Sequence, residues 1–186
     1  MKAIALALAL LCSISMAAQE RPSAKYFANL SLVDQNGNAV DLYSLMKGRT
    51  IVLHSFFATC TGSCPIMTRT LSAIEERFAD RLGKDLVLVS LTVDPKNDTP
   101  AKLKAYATAT KAGTGRFFLT GTQEQVDAAL KRIGQFVTSP EQHANVIIVG
   151  NEKTGLWKKA FGLAKPEEIV EIVRSVVEDD GTTPVQ

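Results

Sequence analysis

The sequence predicts an α/β protein in which a mixed central sheet is flanked by helices. Two apolar runs, residues 51–57 and 86–93, have the length and β-branched content of buried strands, and an amphipathic helical pattern lies between them. A strand, a helix and a second strand in this order form a βαβ unit, whose crossover is right-handed. A hairpin and a helix after residue 145 complete the pattern.

Composition places the chain among ordinary globular proteins. Of its 186 residues, 46% are hydrophobic and 22% are charged, as expected for one domain with a substantial core. The formal net charge of +2 is too small to indicate a nucleic-acid partner.

Residues 1–18 have the pattern of a cleaved secretory signal peptide. Lys2 precedes an apolar run over residues 4–11, and Ser15-Met16-Ala17 puts small residues at the two positions that a signal peptidase reads. The run is well short of the ~20 residues that cross a bilayer, so no stable membrane span is expected. We predict an exported protein, periplasmic if the source is bacterial, with membrane association as the alternative if the signal is retained.

The chain between the signal and the central strand predicts a lead-in followed by a hairpin. Residues 19–29 have the composition of a polar, irregular lead-in to a domain over residues 30–178. Asn36-Gly37 favours a hairpin turn between two short apolar segments, so we expect an N-terminal β-hairpin. A helical turn over residues 43–47 then leads to the central strand.

The central strand ends in a turn that carries Cys60, and the next helix is predicted to begin near Cys64. Pro65 suits the first helical position, because its missing N–H has no intrahelical partner there. We expect this helix to end near Gly83. Its predicted inward-facing positions are Ile66, Leu71, Ile74 and Phe78.

The second half of the chain alternates strand and helix patterns. Asp98-Thr99-Pro100 has the form of a helix cap followed by a first-turn proline, and we assign Asp98 as the cap. A loop that carries His143 precedes the next apolar strand, and residues 179–186 form a polar tail. The remaining predicted elements are a helix over residues 100–112, a strand over 116–119, a helix over 122–133, strands over 146–149 and 156–161, and a helix from Pro166.

Cys60 and Cys64 are the first candidates for chemistry. Since one lies in a turn and the other in the first turn of a helix, both thiols can face one pocket, where the helix dipole lowers a thiol's pKa. A structural disulfide between residues four apart would close a tiny loop and constrain the unfolded chain little. The pair therefore indicates redox or metal chemistry.

The ordered set of motifs resembles the Sco/SenC family. The set comprises residues 57–65, Val93-Asp94-Pro95, Asp98-Thr99-Pro100 and His143 before an apolar strand. That family consists of copper-binding proteins of thioredoxin-like fold that help to assemble the dinuclear copper site of cytochrome c oxidase. The resemblance covers residues 30–177 and implies a thioredoxin-like fold.

The resemblance also implies a copper site formed by Cys60, Cys64 and His143. Thiolates are soft ligands that Cu(I) prefers, and imidazole suits Cu(I) and Cu(II) alike. The implied partners are the copper-site subunit of cytochrome c oxidase or another copper protein, together with a thiol reductant. Thr61-Gly62-Ser63 departs from the family, many members of which have proline and an acidic residue between the cysteines, so copper affinity and partner docking stay open.

Two enzyme alternatives use the same cysteines. A thiol–disulfide oxidoreductase acting on copper-site cysteines would have Cys60 and Cys64 as its catalytic residues, with Cys60 as the attacking thiol. Such enzymes normally have two residues between the cysteines and a proline where His143-Ala144-Asn145 stands, so both differences favour metal. A peroxidase is less favoured, because Phe57 stands where the proline of its motif is expected.

Three neighbouring side chains are assigned other roles. His54 lies within the apolar strand and is expected to be a neutral core imidazole. Met67 is expected in the core or at its rim. Asp94 ends a strand beside the cysteine turn, where it could orient a ligand or face a partner, but it is not predicted as a ligand.

Overall fold

The computed structural model describes residues 21–182, which form one seven-stranded mixed sheet with helices on both faces. The predicted signal peptide and the end of the predicted tail, residues 183–186, lie outside these residues. The strands are β1 Ser31–Asp34, β2 Ala39–Asp41, β3 Thr50–Phe56, β4 Leu86–Thr92, β5 Arg116–Thr120, β6 Val146–Asn151 and β7 Trp157–Phe161. The helices are α1 Pro22–Tyr26, α2 Leu42–Met46, α3 Cys64–Arg77, α4 Pro100–Ala109, α5 Gln123–Ile133 and α6 Pro166–Val177.

The sheet has the strand order β2-β1-β5-β4-β3-β6-β7. β3 runs parallel to β4 and antiparallel to β6. Every residue of β3 and β4 is buried, as expected for strands covered on both faces. The predicted mixed sheet, its flanking helices and the N-terminal hairpin of β1 and β2 are confirmed.

Two apolar layers cover the sheet, because successive side chains of a strand point to opposite faces. Ile51 and Leu53 pack on the face covered by Phe27, α2 and α5. Val52 packs on the other face, against α3 and α6. Phe56 continues that second face and packs against Leu103 of α4. None of the helices within residues 21–182 is long and apolar enough to cross a membrane.

Helix α3 differs from its prediction in length and in phase. It ends at Arg77, and the chain continues in turns to Gly83, where φ is 79°. Ile66 is 45% exposed, whereas Met67 is 1% exposed. The prediction of Ile66 as a core position is therefore wrong, because Met67 has the spacing of four and then three residues that aligns it with Leu71 and Ile74.

Two local predictions outside α3 also need correction. The lead-in contains the single-turn helix α1 instead of an irregular segment, and Ser23 holds it by donating to the buried Glu152 carboxylate at 2.9 Å. Helix α4 is capped by Thr99, whose hydroxyl accepts the Lys102 N–H. Asp98 is therefore not the cap, and its side chain turns inward instead.

Candidate metal centre

The three residues predicted to bind copper lie together at the carboxyl end of β3. One ligand atom from each of Cys60, Cys64 and His143 lies within 4.8 Å of the other two. Cys60 lies in the turn after β3, Cys64 begins α3, and His143 follows a 3₁₀ turn at Pro140–Gln142. Because β6 runs antiparallel to β3, the loop that enters β6 reaches the edge where β3 ends.

The imidazole of His143 is held in one orientation. Its Nδ1–H donates to the carbonyl oxygen of Pro140 at 3.0 Å. Its Nε2 lies 3.6 Å from Cys64 Sγ. The ring of Phe57 packs edge-on against the imidazole, with the two ring centroids 5.3 Å apart. Since Nδ1 carries the proton, the lone pair of Nε2 faces the sulfur atoms, which is the arrangement of a metal-binding histidine.

The two thiols differ in access to solvent. Cys60 is half-buried, whereas Cys64 is 3% exposed. Burial raises the pKa of the Cys64 thiol well above its usual value, and a hydrogen bond with Cys60 raises it further. The expectation of a lowered pKa at the helix N-terminus is thus wrong for Cys64, because burial is the largest cause of the shift and raises the pKa. Metal binding at Cys64 requires release of its proton.

Asp98 holds the turn that carries Cys60 through hydrogen bonds. It is fully buried, and its carboxylate accepts the N–H of Ala58 at 3.1 and 3.3 Å and the hydroxyl proton of Thr92. Burial raises the pKa of this carboxyl. The residue therefore ties the end of β4 to the turn that carries Cys60. Sequence reasoning missed this role, because the nearest local pattern was that of a helix cap.

Gln135 joins the two strands that lead to the donor atoms. Its Oε1 accepts the N–H of Ser55 at 2.8 Å, and its Nε2 donates to the carbonyl of Val146 at 3.2 Å. The backbone pairing of β3 with β6 stops at His54 and Ile147. Beyond that pair, the buried amide bridges the strands as they separate around the metal centre. No pattern in the sequence distinguishes this glutamine from a loop residue.

The neighbouring side chains are placed outside the donor set. His54 lies within β3, where its Nε2 accepts the hydroxyl proton of Ser90 at 2.7 Å. Burial lowers the pKa of His54 to about 3, so the predicted neutral core imidazole is confirmed. The Asp94 carboxylate accepts the side-chain N–H of Asn97 at 2.8 Å, and Met67 lies in the core.

The donor set fits a soft metal ion. Two thiolates and one imidazole suit Cu(I), and the same ligand types also bind zinc. The lone pair of His143 Nε2 is free, and Nε2 lies 3.6 Å from Cys64 Sγ, so both atoms can bind the same ion. Similarity to known copper-binding proteins favours copper over zinc.

The fold and the site together define the class of this protein. It is a thioredoxin-like protein with a redox or metal centre, because a turn with a cysteine pair joins a strand of the mixed sheet to a helix. A family profile described as SCO1/SenC matches residues 18–178. The chain belongs to the SCO1/SenC family, and the predicted thioredoxin-like fold is confirmed.

Individual relatives are consistent with this assignment. A protein of Stutzerimonas stutzeri described as copper-binding is 32% identical over 149 residues, which are 73% of this chain and 72% of that protein. The structure of BsSco, described as a member of the Sco family of cytochrome c oxidase assembly proteins, is 27% identical with a TM-score of 0.65 and covers 79% of this chain and 90% of BsSco. Arabidopsis thaliana ScoI with copper bound shares the fold at 21% identity, with a TM-score of 0.65 over 78% of this chain and 94% of ScoI.

Proposed function

We propose that this protein binds one copper ion through Cys60 Sγ, Cys64 Sγ and His143 Nε2 and delivers it to, or helps to mature, the copper site of cytochrome c oxidase. The convergence of these three donors within 4.8 Å carries the proposal. Membership of the SCO1/SenC family supports the choice of copper and of the recipient.

The donors divide between the two oxidation states of copper. The thiolates favour Cu(I), and the imidazole nitrogen adds the harder ligand that Cu(II) prefers. Because the pKa of Cys64 is raised, uptake of the ion releases a proton from this thiol, and copper affinity falls as the pH falls.

The unequal exposure of the two cysteines suits transfer by ligand exchange. Cys60 is the donor that an incoming ligand reaches, while Cys64 and His143 are buried behind it. A thiolate of the recipient first takes the place of Cys60, and further ligands of the recipient then take the places of Cys64 and His143, so the ion is never released into water.

Copper titration of the reduced protein tests the proposal. We expect one equivalent to be retained against a moderate chelator, and the Cu(II) form to show sulfur-to-copper charge-transfer absorption. Cys60→Ser and Cys64→Ser each abolish this retention while circular dichroism reports a folded domain. A wild-type protein that yields all its copper to the chelator would contradict the proposal.

We infer that the protein acts outside the cytoplasm, because residues 1–18 carry the pattern of a signal peptide. Processing leaves a mature chain that begins near Ala18 or Gln19, with the lead-in over residues 19–29 and the domain over residues 30–178. N-terminal sequencing of the exported protein tests this inference. Recovery of Lys2 in a membrane fraction would show that the segment is retained.

A thiol–disulfide oxidoreductase is the second candidate, and the same difference in exposure favours it. The Cys60 thiolate would attack a disulfide of the target, forming a mixed disulfide and releasing one target thiol. Cys64 would then attack Cys60 Sγ, releasing the second target thiol and leaving a Cys60–Cys64 disulfide that a thiol reductant must reduce. The rate of exchange with a model disulfide, measured beside copper retention on the same samples, separates the two functions.

A further inference from the structure

An apolar groove lies on the face of β6 and β7 that is turned away from α6. Helix α1 and the last turn of α5 border it, and its volume is about 750 Å³. Small-molecule sites typically have volumes of ~300–1,000 Å³ and mostly apolar walls. None of the three proposed copper ligands lines this groove.

One wall of the groove is aromatic, and aliphatic side chains form its floor. The indole of Trp157 stacks on Phe27, with ring centroids 6.0 Å apart and planes 29° from parallel. A Cβ on Gly150 would lie 2.2 Å from the indole, so the glycine lets Trp157 lie flat on the sheet. Leu53 is fully buried and Ile148 is 7% exposed, and both line the floor.

Several cationic side chains line the apolar surface. Lys131 and Arg132 line the groove from the end of α5, and Lys159 lies on the same face of β7 as Trp157. The Arg132 guanidinium lies 5.2 Å from the ring centroid of Tyr26. None of these three cations pairs with a carboxylate in residues 21–182, and no acidic residue lines the groove. The rim therefore attracts an anion without competition from the protein itself.

We propose that this groove binds an amphiphilic monocarboxylate of the fatty-acid type. Its alkyl chain lies against Trp157 and Ile148, where it leaves water, and its carboxylate meets the ammonium groups of Lys131 and Lys159. The apolar walls provide the affinity, and the two lysines, which have no carboxylate partner, select a ligand with an anionic head group. The Lys131 ammonium lies 4.7 Å from the ring centroid of Phe136, and in the complex it turns from this ring to the carboxylate. This site is independent of the proposed copper function.

Intrinsic fluorescence gives a direct test, because Trp157 is the single tryptophan of the chain. Titration of the purified protein with decanoate is expected to produce a saturable change in tryptophan emission. Decanol has the same chain length without the charge, and we expect it to bind about tenfold more weakly.

A pair of double variants assigns the binding to the groove. Lys131→Gln/Lys159→Gln is expected to weaken decanoate binding about tenfold and to leave decanol binding unchanged. Lys102→Gln/Lys104→Gln removes two exposed lysines from α4, on the other face of the sheet, and should leave both unchanged. No saturable response, equal affinity for decanoate and decanol, wild-type affinity in the first double variant, or binding to anionic vesicles but not to decanoate would each overturn the proposal.

Discussion

The interior of the sheet and its carboxyl edge each hold one of the chain's two histidines. His54 is 4% exposed and His143 is 9% exposed. In both residues Nδ1 lies 3.0 Å from a backbone carbonyl oxygen. The difference lies at Nε2, which faces the Ser90 hydroxyl at 2.7 Å in His54 and the Cys64 sulfur at 3.6 Å in His143.

Burial alone therefore does not identify a ligand. In the interior, both nitrogens of His54 are used in hydrogen bonds that stabilise the sheet. At the edge, the fixed Nδ1 of His143 leaves Nε2 beside two sulfur atoms. Interior substitutions should accordingly change stability, and edge substitutions should change copper binding.

The largest effect is expected at the edge. In His143→Ala, Cu(II) retention should fall about a hundredfold or more, because a ligand is lost rather than a supporting partner, whereas the two thiolates still hold Cu(I). The unfolding free energy should fall by only about 1 kcal/mol. Chelator competition and chemical denaturation measure the two quantities. Wild-type Cu(II) retention combined with slower disulfide exchange would favour the oxidoreductase.

The interior histidine should show the opposite behaviour. His54→Ala leaves a cavity and an unpaired Ser90 hydroxyl, so we expect the unfolding free energy to fall by about 2–4 kcal/mol. Copper should bind at one equivalent with unchanged affinity wherever the variant is folded. Loss of copper from a folded His54→Ala protein would show that the two regions are not separate.

Asp98 connects the two regions, and its removal should affect both quantities moderately. Asp98→Ala leaves the partly buried N–H of Ala58 unpaired, which costs about 1–3 kcal/mol of stability. Loosening of the Cys60 turn should weaken copper retention about tenfold. Asp94→Ala is the matched control in the same segment between β4 and α4, and both quantities should stay near their wild-type values. Equal effects of the two substitutions would contradict a specific role for Asp98.

A further effect is a pH dependence of stability that comes from the interior. Because the folded protein holds the pKa of His54 at about 3, below its unfolded value of 6.5, the unfolded chain binds the extra proton between these pH values. Stability should therefore be complete above pH ~6.5 and fall by about 1.4 kcal/mol per pH unit as the pH drops toward ~3. Denaturation of wild type and His54→Gln between pH ~7 and ~5 checks this, since the variant should lack this slope. If the unfolding free energies of the two proteins fell equally with pH, His54 would not be a group that titrates on unfolding.

Local patterns predicted the strands, the helices α2 to α6 and the pairing of Cys60 with Cys64, while the resemblance to the Sco/SenC family supplied His143 as the third donor. They failed where a distant partner decides the outcome. Asp98 has the local form of a cap, but its carboxylate bonds to Ala58, 40 positions away. Gln135 has no local signal at all, because its role depends on where β3 and β6 separate. The pKa of Cys64 was predicted from the helix dipole, yet burial in a cluster that includes Leu103 and Phe118 is the largest cause of its shift.

The separation of the donors along the chain has a consequence for the order of folding and metal binding. Cys64 and His143 are 79 positions apart, and the imidazole reaches the two sulfur atoms only when β6 lies beside β3. A nascent or partly folded polypeptide therefore presents two thiols without their imidazole. Such a polypeptide offers oxidants a nearby cysteine pair before it offers copper a complete site. Loading with metal is then a step that follows maturation of the fold, and it competes with oxidation during the interval between the two.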